Sequence, residues 1–178
     1  AVMGGVFLAA ERYYLDLSAE DAAAGIELQR ENLAGWLTRF RALPSVHARH
    51  PALLNMLDTP ADTQLRDQVN RLLESWTFAT GAAETYLLGP DGRVLASSDW
   101  LDPVTILGRD MGRRAHYVEA MEGRLGRWFE VDAATGERGY HFSFPVWRGT
   151  DVAGVVVVTA DVAGIEEELR LSPDEFFV

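Results

Sequence analysis

The sequence predicts an α+β domain in which helices come first and a five-stranded antiparallel sheet follows. Three observations carry this expectation. Apolar residues recur at helical spacing between residues 11 and 80. After residue 81 the chain breaks into short apolar runs separated by glycine-containing turns. The last of these runs, Val155-Val156-Val157-Val158, is continuous and β-branched, as expected for a central strand covered on both faces.

A chain of 178 residues suits one domain, or one domain with a helical appendage, and 48% hydrophobic residues exclude disorder. The net charge of -11 argues against a nucleic-acid partner and against binding to an anionic lipid surface, both of which need a basic face. All sixteen basic residues are Arg, so Schiff-base and P-loop chemistry have no lysine to use. Without cysteine there is no thiol catalysis, no Cys-based zinc site and no disulfide.

Residues 1–10 are uncharged and apolar but too few for the ~20 that a membrane-spanning helix needs. They read either as the end of a transmembrane helix, with Tyr13 and Tyr14 at the interface, or as the buried first turn of an ordinary helix. From Glu11 to Leu43 only Gly25 and Gly35 weaken a helix, and Leu33, Trp36, Leu37, Phe40 and Leu43 form its apolar stripe. Such a helix would be ~45 Å long, so its early half is expected to project toward a partner helix or the membrane until Pro44 stops it. A short helix over Pro51–Leu57 begins with proline in a favoured position. The next, over 62–80, presents Leu65, Val69, Leu72, Leu73, Trp76 and Phe78 or Ala79 on one face. Asp62 or Thr63 caps its start and Gly81 its end.

Thr85–Leu88 and Val94–Ser97 flank Gly89-Pro90-Asp91-Gly92, which is β-hairpin chemistry. A loop containing Asp102-Pro103 leads to a helix around Arg114–Glu122, ended by Gly123. Three more strands follow, over 127–131, 139–146 and 152–161, with Gly136 and Gly149 in the turns.

The order of these motifs resembles a known family. "YLLGPDGRVLASSDW", "GRDMGRRAHYVEAMEGRLGRWFEVDAATGERGYHFSFPV" and "GVVVVTADVAGIEEEL" together look like the extracytoplasmic sensor of bacterial C4-dicarboxylate sensor histidine kinases, within the Cache (PAS-like) class. The combination of Ser97-Ser98-Asp99-Trp100, Arg114-Ala115-His116-Tyr117, the Ala134-Thr135-Gly136 turn and Gly139-Tyr140 carries the resemblance. It implies two stacked PAS-like domains between two transmembrane helices, the distal one binding ligand. Residues 1–10 then become the end of a transmembrane helix, 11–80 a signalling helix and helical cap, 81–165 the ligand-binding domain, and 166–178 a connector toward the second domain. It further implies a bacterial inner-membrane protein with this part in the periplasm, a homodimer through the N-terminal helix, and a kinase core outside this chain.

The family's Arg-Pro-Tyr-Phe motif, whose Arg binds a ligand carboxylate, falls on residues 114–117. Arg114 matches, while His116 and Tyr117 replace the two aromatics. The family's Thr-Ser turn falls near Ala134-Thr135, where Thr135 keeps a hydroxyl. The family's last-strand Lys, which pairs with a second carboxylate, falls on Thr159, which cannot carry that charge; Arg138 on the neighbouring loop is the candidate replacement.

The residues alone make a plausible site as well. An Arg fork is suited to a carboxylate, and His116 and Tyr117 lie beside Arg114. Tyr140 and Phe142 alternate with His141 along one strand, so the two sets face opposite sides. Thr159 and Asp161 share a face, and Asp161 can meet a ligand amine while Arg114 holds its carboxylate, an arrangement similar to amino-acid-binding Cache sensors. Trp100 reads as a lid or core aromatic. The plainer alternatives are a surface pairing of Arg114 with Glu119 or Asp110, and Asp161 as cap of a following helix at 163–169. His47 and His50 lack further ligands for zinc, Ser97-Ser98-Asp99 is not a nucleophile elbow, and Glu166-Glu167-Glu168 is a solvated face.

The expected function is therefore a non-enzymatic, cofactor-free sensor of a small carboxylate, a C4-dicarboxylate or a related organic acid. The alternatives are an amino-acid-binding receptor domain or a ligand-free PAS-like module that binds a partner protein.

Overall fold

The computed structural model describes residues 35, 37–131 and 138–162. The expected transmembrane-helix end at 1–10, most of the long helix, Thr135 and the connector over 166–178 lie outside the described residues. No helix among the described residues is long and apolar enough to cross a membrane.

The helical turns at 37–47 form α1. Proline 44 does not stop this helix, contrary to expectation. It lies one turn from the end, so the helix loses a single donor there, and the Pro44 carbonyl still accepts from Ala48 N–H at 2.9 Å. Next come α2 (Pro51–Asp58) and α3 (Thr63–Thr80), the latter capped by Asp62 through Leu65 N–H. Gly81 ends α3 with φ 69°, a left-handed conformation that favours glycine. Phe78 and Ala79, one of them expected on the buried face of α3, are both exposed, Phe78 at 92%. Thr77 and Thr80, four and seven residues after Leu73, continue that face instead, and Thr77 bonds Thr85 between their hydroxyls at 2.8 Å.

Five strands follow: β1 (Glu84–Leu88), β2 (Val94–Ser97), β3 (Gly126–Val131), β4 (Arg138–Arg148) and β5 (Asp151–Asp161), with α4 (Ala115–Met121) inserted after β2. They form one antiparallel sheet in the order β2-β1-β5-β4-β3. The expectation for 155–158 holds: β5 is central, and all four valines are fully buried.

Strand alternation assigns the two faces. Val156, Val158 and Ala160 of β5 face α1–α3, where Leu53, Met56, Val69 and Leu73 pack with Leu87 and Val156, and Phe40 packs with Phe142 and Val158. Val155 and Val157 face the other way, into a cluster with Tyr86, Leu88, Tyr117 and Ala120. This second face is covered by α4 and by the segment 98–114. That segment is tied along the outer edge of β2 by Gly108 N–H to the Val94 carbonyl (2.9 Å) and Met111 N–H to the Gly92 carbonyl (2.8 Å). Gly126 lets α4 lie close on the sheet: a Cβ there would stand 2.2 Å from the His116 carbonyl oxygen and 2.3 Å from Ser143 Oγ. That same hydroxyl donates to the His116 carbonyl at 2.7 Å.

Candidate functional site

Between the sheet, the start of α4 and the segment 98–114 lies a cavity of about 380 Å³. Its walls carry Glu84 and Tyr86 from β1, Asp99 and Arg109 from the covering segment, Arg114 at the N-cap of α4, Glu130 from β3 and His141 from β4. Register explains the convergence on the sheet side. Glu84 and His141 both pair with Thr159, and Glu130 pairs with Gly139, so these positions form adjacent rows on one face.

The carboxyl groups are already committed. Asp99 accepts from Thr105 Oγ1 and Ile106 N–H, both at 2.8 Å, and so fastens the covering segment. Glu130 pairs with Arg114, each about one-third exposed. Glu84 accepts from Ser97 Oγ at 3.3 Å. Its burial, reinforced by Asp99, raises its pKa to about 8, so Glu84 is mainly a neutral acid at neutral pH.

Behind Tyr86 a hydroxyl–imidazole network closes the wall. Thr159 Oγ1 lies 3.0 Å from His141 Nδ1, and Tyr86 Oη lies 3.3 Å from that nitrogen and 3.4 Å from His116 Nε2. The two imidazoles stack, with centroids 5.3 Å apart. With Thr159 donating to His141 Nδ1 and Tyr86 to His116 Nε2, two of the three contacts carry a hydrogen, the Tyr86 Oη–His141 Nδ1 approach sets acceptor against acceptor, and the buried His116 Nδ1 is left without a partner among the described residues. His141 then carries its proton on Nε2, which lies 3.8 Å from Glu130. Burial lowers His141 to about 4 and His116 to about 3, with Arg114 adding to both, and raises the Tyr86 phenol.

These groups set an expected pH profile. In the fold His116, His141 and the buried His47 (about 4, from burial and then His50) stay neutral, whereas in the unfolded chain they protonate below their ordinary 6.5. Stability is therefore lost as pH falls from 6.5 toward 4. Glu84 acts in the opposite sense. Between its ordinary 4.5 and about 8 the fold holds a proton that the unfolded chain releases, so stability is lost as pH rises through that window. A melting-temperature maximum near pH ~7 is expected, with a steep acid limb. Glu84→Gln should flatten the alkaline limb and leave the acid limb in place. A scan of melting temperature against pH on both proteins checks this.

The nine residues singled out in the sequence separate into groups. Arg114 lines the cavity, and Thr159 and His116 stand in the network behind it. Tyr117 does not line the cavity. Its hydroxyl donates to the Pro90 carbonyl at 2.8 Å and so holds the hairpin turn. Tyr140 faces α1, stacked on Phe142 at 5.2 Å, because even-numbered β4 positions share the face covered by Phe40. Trp100 docks on α3, donating to Glu74 at 3.4 Å with the Arg71 guanidinium over its ring. Arg138 and Asp161, at the ends of β4 and β5, are not among the cavity-lining residues. Thr135 lies outside the described residues.

The sequence reasoning did not select His141, Tyr86, Glu84, Asp99, Arg109 or Glu130. The alternation of His141 with Tyr140 and Phe142 was the available signal, since it put the imidazole opposite the two rings.

A five-stranded sheet in this order, with a short helix and a long covering segment closing a polar cavity on one face, defines a PAS-like sensor domain of the Cache class. The chain is homologous to the C4-dicarboxylate transport sensor proteins DctB, and its fold is that of the DctB sensor domain. It is 36% identical over 169 residues to the protein of Pseudomonas aeruginosa, covering 95% of this chain and 28% of that protein. With the Rhizobium meliloti protein it shares 28% identity over 151 residues, covering 85% and 24%. The chain thus spans less than a third of the curated relatives it matches.

Among solved structures, the sensor domain of the Vibrio cholerae histidine kinase DctB superposes with a TM-score of 0.79 at 25% identity, over 83% of this chain and 57% of that one. The ligand-binding domain of the Pseudomonas aeruginosa amino acid chemoreceptor PctC, in complex with GABA, gives 0.60 at 26% identity, over 84% and 63%. No protein-family model matches the chain.

Proposed function

We propose that this domain binds a small carboxylate, in the first place a C4-dicarboxylate, in the cavity between the sheet and α4. It would do so as the periplasmic sensor of an inner-membrane histidine kinase. The observation that carries the reading is the pair of guanidiniums, Arg109 and Arg114, lining one cavity whose three carboxyls each have an internal partner. Thr159 carries no charge for a second carboxylate, and Arg109 is the cation that lines the cavity in addition to Arg114. Burial pushes Glu84 toward its neutral acid, and a His141 protonated on Nε2 would add a second donor without adding negative charge.

Occupancy favours whichever arrangement of α4, the covering segment and the sheet binds ligand more tightly. The shifted equilibrium would pass to the long N-terminal helix, through which a homodimer forms, and to the kinase core beyond this chain. The likeness to the PctC domain supports a second reading, in which the ligand is an amino acid whose ammonium meets the Glu84–Asp99 side of the cavity.

A thermal-shift panel of C4-dicarboxylates, monocarboxylates and amino acids on this chain tests the proposal. A ligand at 100 times its Kd adds about 2.7 kcal/mol, which for this chain length is a rise of roughly 5–10 °C. A response confined to dicarboxylates supports the first reading, and one confined to amino acids supports the second. No response from any of them removes both and favours a ligand-free module that binds a partner protein.

A further inference from the structure

The geometry points to Glu130 as an internal competitor for the cavity's anchor. Its carboxylate holds the Arg114 guanidinium as a ligand carboxylate would, so binding at this site exchanges one carboxylate for another. The inference rests on the reading of the cavity as a carboxylate site.

Four features make Glu130 suited to that exchange. It pairs with Arg114 inside the cavity, and with each side chain about one-third exposed the pair is neither sealed in the core nor fully solvated. Its strand, β3, is the sheet edge among the described residues, where it is bonded to β4, so the Glu130 side chain can swing without breaking the apolar layers. The residue opposite is Gly139, which also lines the cavity; a Cβ there would crowd Thr159 Cγ2 at 3.3 Å and His141 Nε2 at 3.4 Å. Glycine therefore leaves the space into which a displaced carboxylate can turn. Finally, His141 Nε2 lies 3.8 Å from Glu130 and, with the ring proton on that nitrogen, donates to the displaced group.

Glu130 thus sets affinity by competition. Removing its charge frees Arg114 for an incoming carboxylate, whereas a residue that merely supported the fold would lower affinity when replaced.

The test is calorimetric titration of succinate into the 178-residue chain as wild type, Glu130→Gln, Glu130→Ala, Arg114→Ala and the Arg114→Ala/Glu130→Gln double variant. Both single Glu130 variants should bind succinate about tenfold more tightly. Arg114→Ala should lose binding, and adding Glu130→Gln should recover only the share due to carboxylate repulsion and stay well below wild type. Unchanged or weaker affinity in both Glu130 variants, with binding still lost in Arg114→Ala, overturns the competitor and leaves the carboxylate site standing. Wild-type affinity in Arg114→Ala removes Arg114 as the anchor, and no succinate binding by wild type or the Glu130 variants overturns the C4-dicarboxylate reading; either result overturns the competitor with it. Melting temperatures without ligand show whether each variant is folded.

Discussion

Arg114→Ala should weaken carboxylate binding by about 100-fold or more while the domain melts within a few degrees of wild type. Two effects add. The substitution removes a charge-assisted, fork-shaped donor from the cavity wall, and it leaves Glu130 facing the ligand with no guanidinium between them. Repulsion between two carboxylates then opposes binding, so the loss exceeds that of one hydrogen bond. The fold should tolerate the change because Arg114 serves as the N-cap of α4 through its backbone, with no side-chain cap bond, and its ion pair is partly exposed. Arg114→Lys keeps the charge but not the planar fork, and should retain an intermediate affinity. Calorimetry with the C4-dicarboxylate that gives the largest thermal shift measures all three proteins. Equal affinity in wild type and the alanine variant would remove Arg114 from the site.

The largest structural effect is expected from Gly126→Ala. The added carbon would meet the His116 carbonyl oxygen at 2.2 Å and Ser143 Oγ at 2.3 Å, and the nearest carbonyl carbon at 2.9 Å, so backbone must move rather than a flexible side-chain end. Relief requires α4 to lift from β3 and β4. That breaks the Ser143–His116 hydrogen bond and shifts His116 out of the Tyr86–His141 network. Overpacking of this kind typically costs about 1–3 kcal/mol, and a lost buried hydrogen bond adds about 1–3 kcal/mol more. A melting-temperature loss of roughly 5–15 °C is expected, with weaker ligand binding because Arg114 begins the same helix. Gly149→Ala is the control, since a Cβ there meets nothing within 4 Å. That turn has φ 61°, so a small loss is expected from the backbone alone. Equal losses in the two variants would show that the close approach at Gly126 carries no special weight.

Local chemistry explains how far the sequence could be read. The helix over 63–80 follows from its apolar spacing, from Asp62 and from Gly81, all of which act within a few residues. The hairpin, the short helix after Arg114 and the long central strand are equally local, and the four valines of β5 announce burial on both faces by composition alone. Where a local rule competed with geometry, geometry prevailed. Proline 44 fits inside the end of α1 because it lies one turn from the helix end, and Phe78 points outward because the buried arc of α3 passes through Thr77 and Thr80.

The sequence by itself determined the order of elements, the antiparallel sheet and the position of Arg114 at the start of a helix, since each depends on periodicity, turn residues or a matching motif. Only the tertiary structure decided which groups meet Arg114. Alternation along β4 separates His141 from Tyr140 but does not say which of them faces ligand. That depends on α1 covering one side with Phe40 and α4 lying on the other. Glu84, Asp99, Arg109 and Glu130 are far apart in sequence and share a cavity because β1, β5, β4 and β3 are neighbours and Asp99 pins the covering segment above them. Charge balance in the cavity is a sum over those contacts, and no local pattern along the chain encodes that sum.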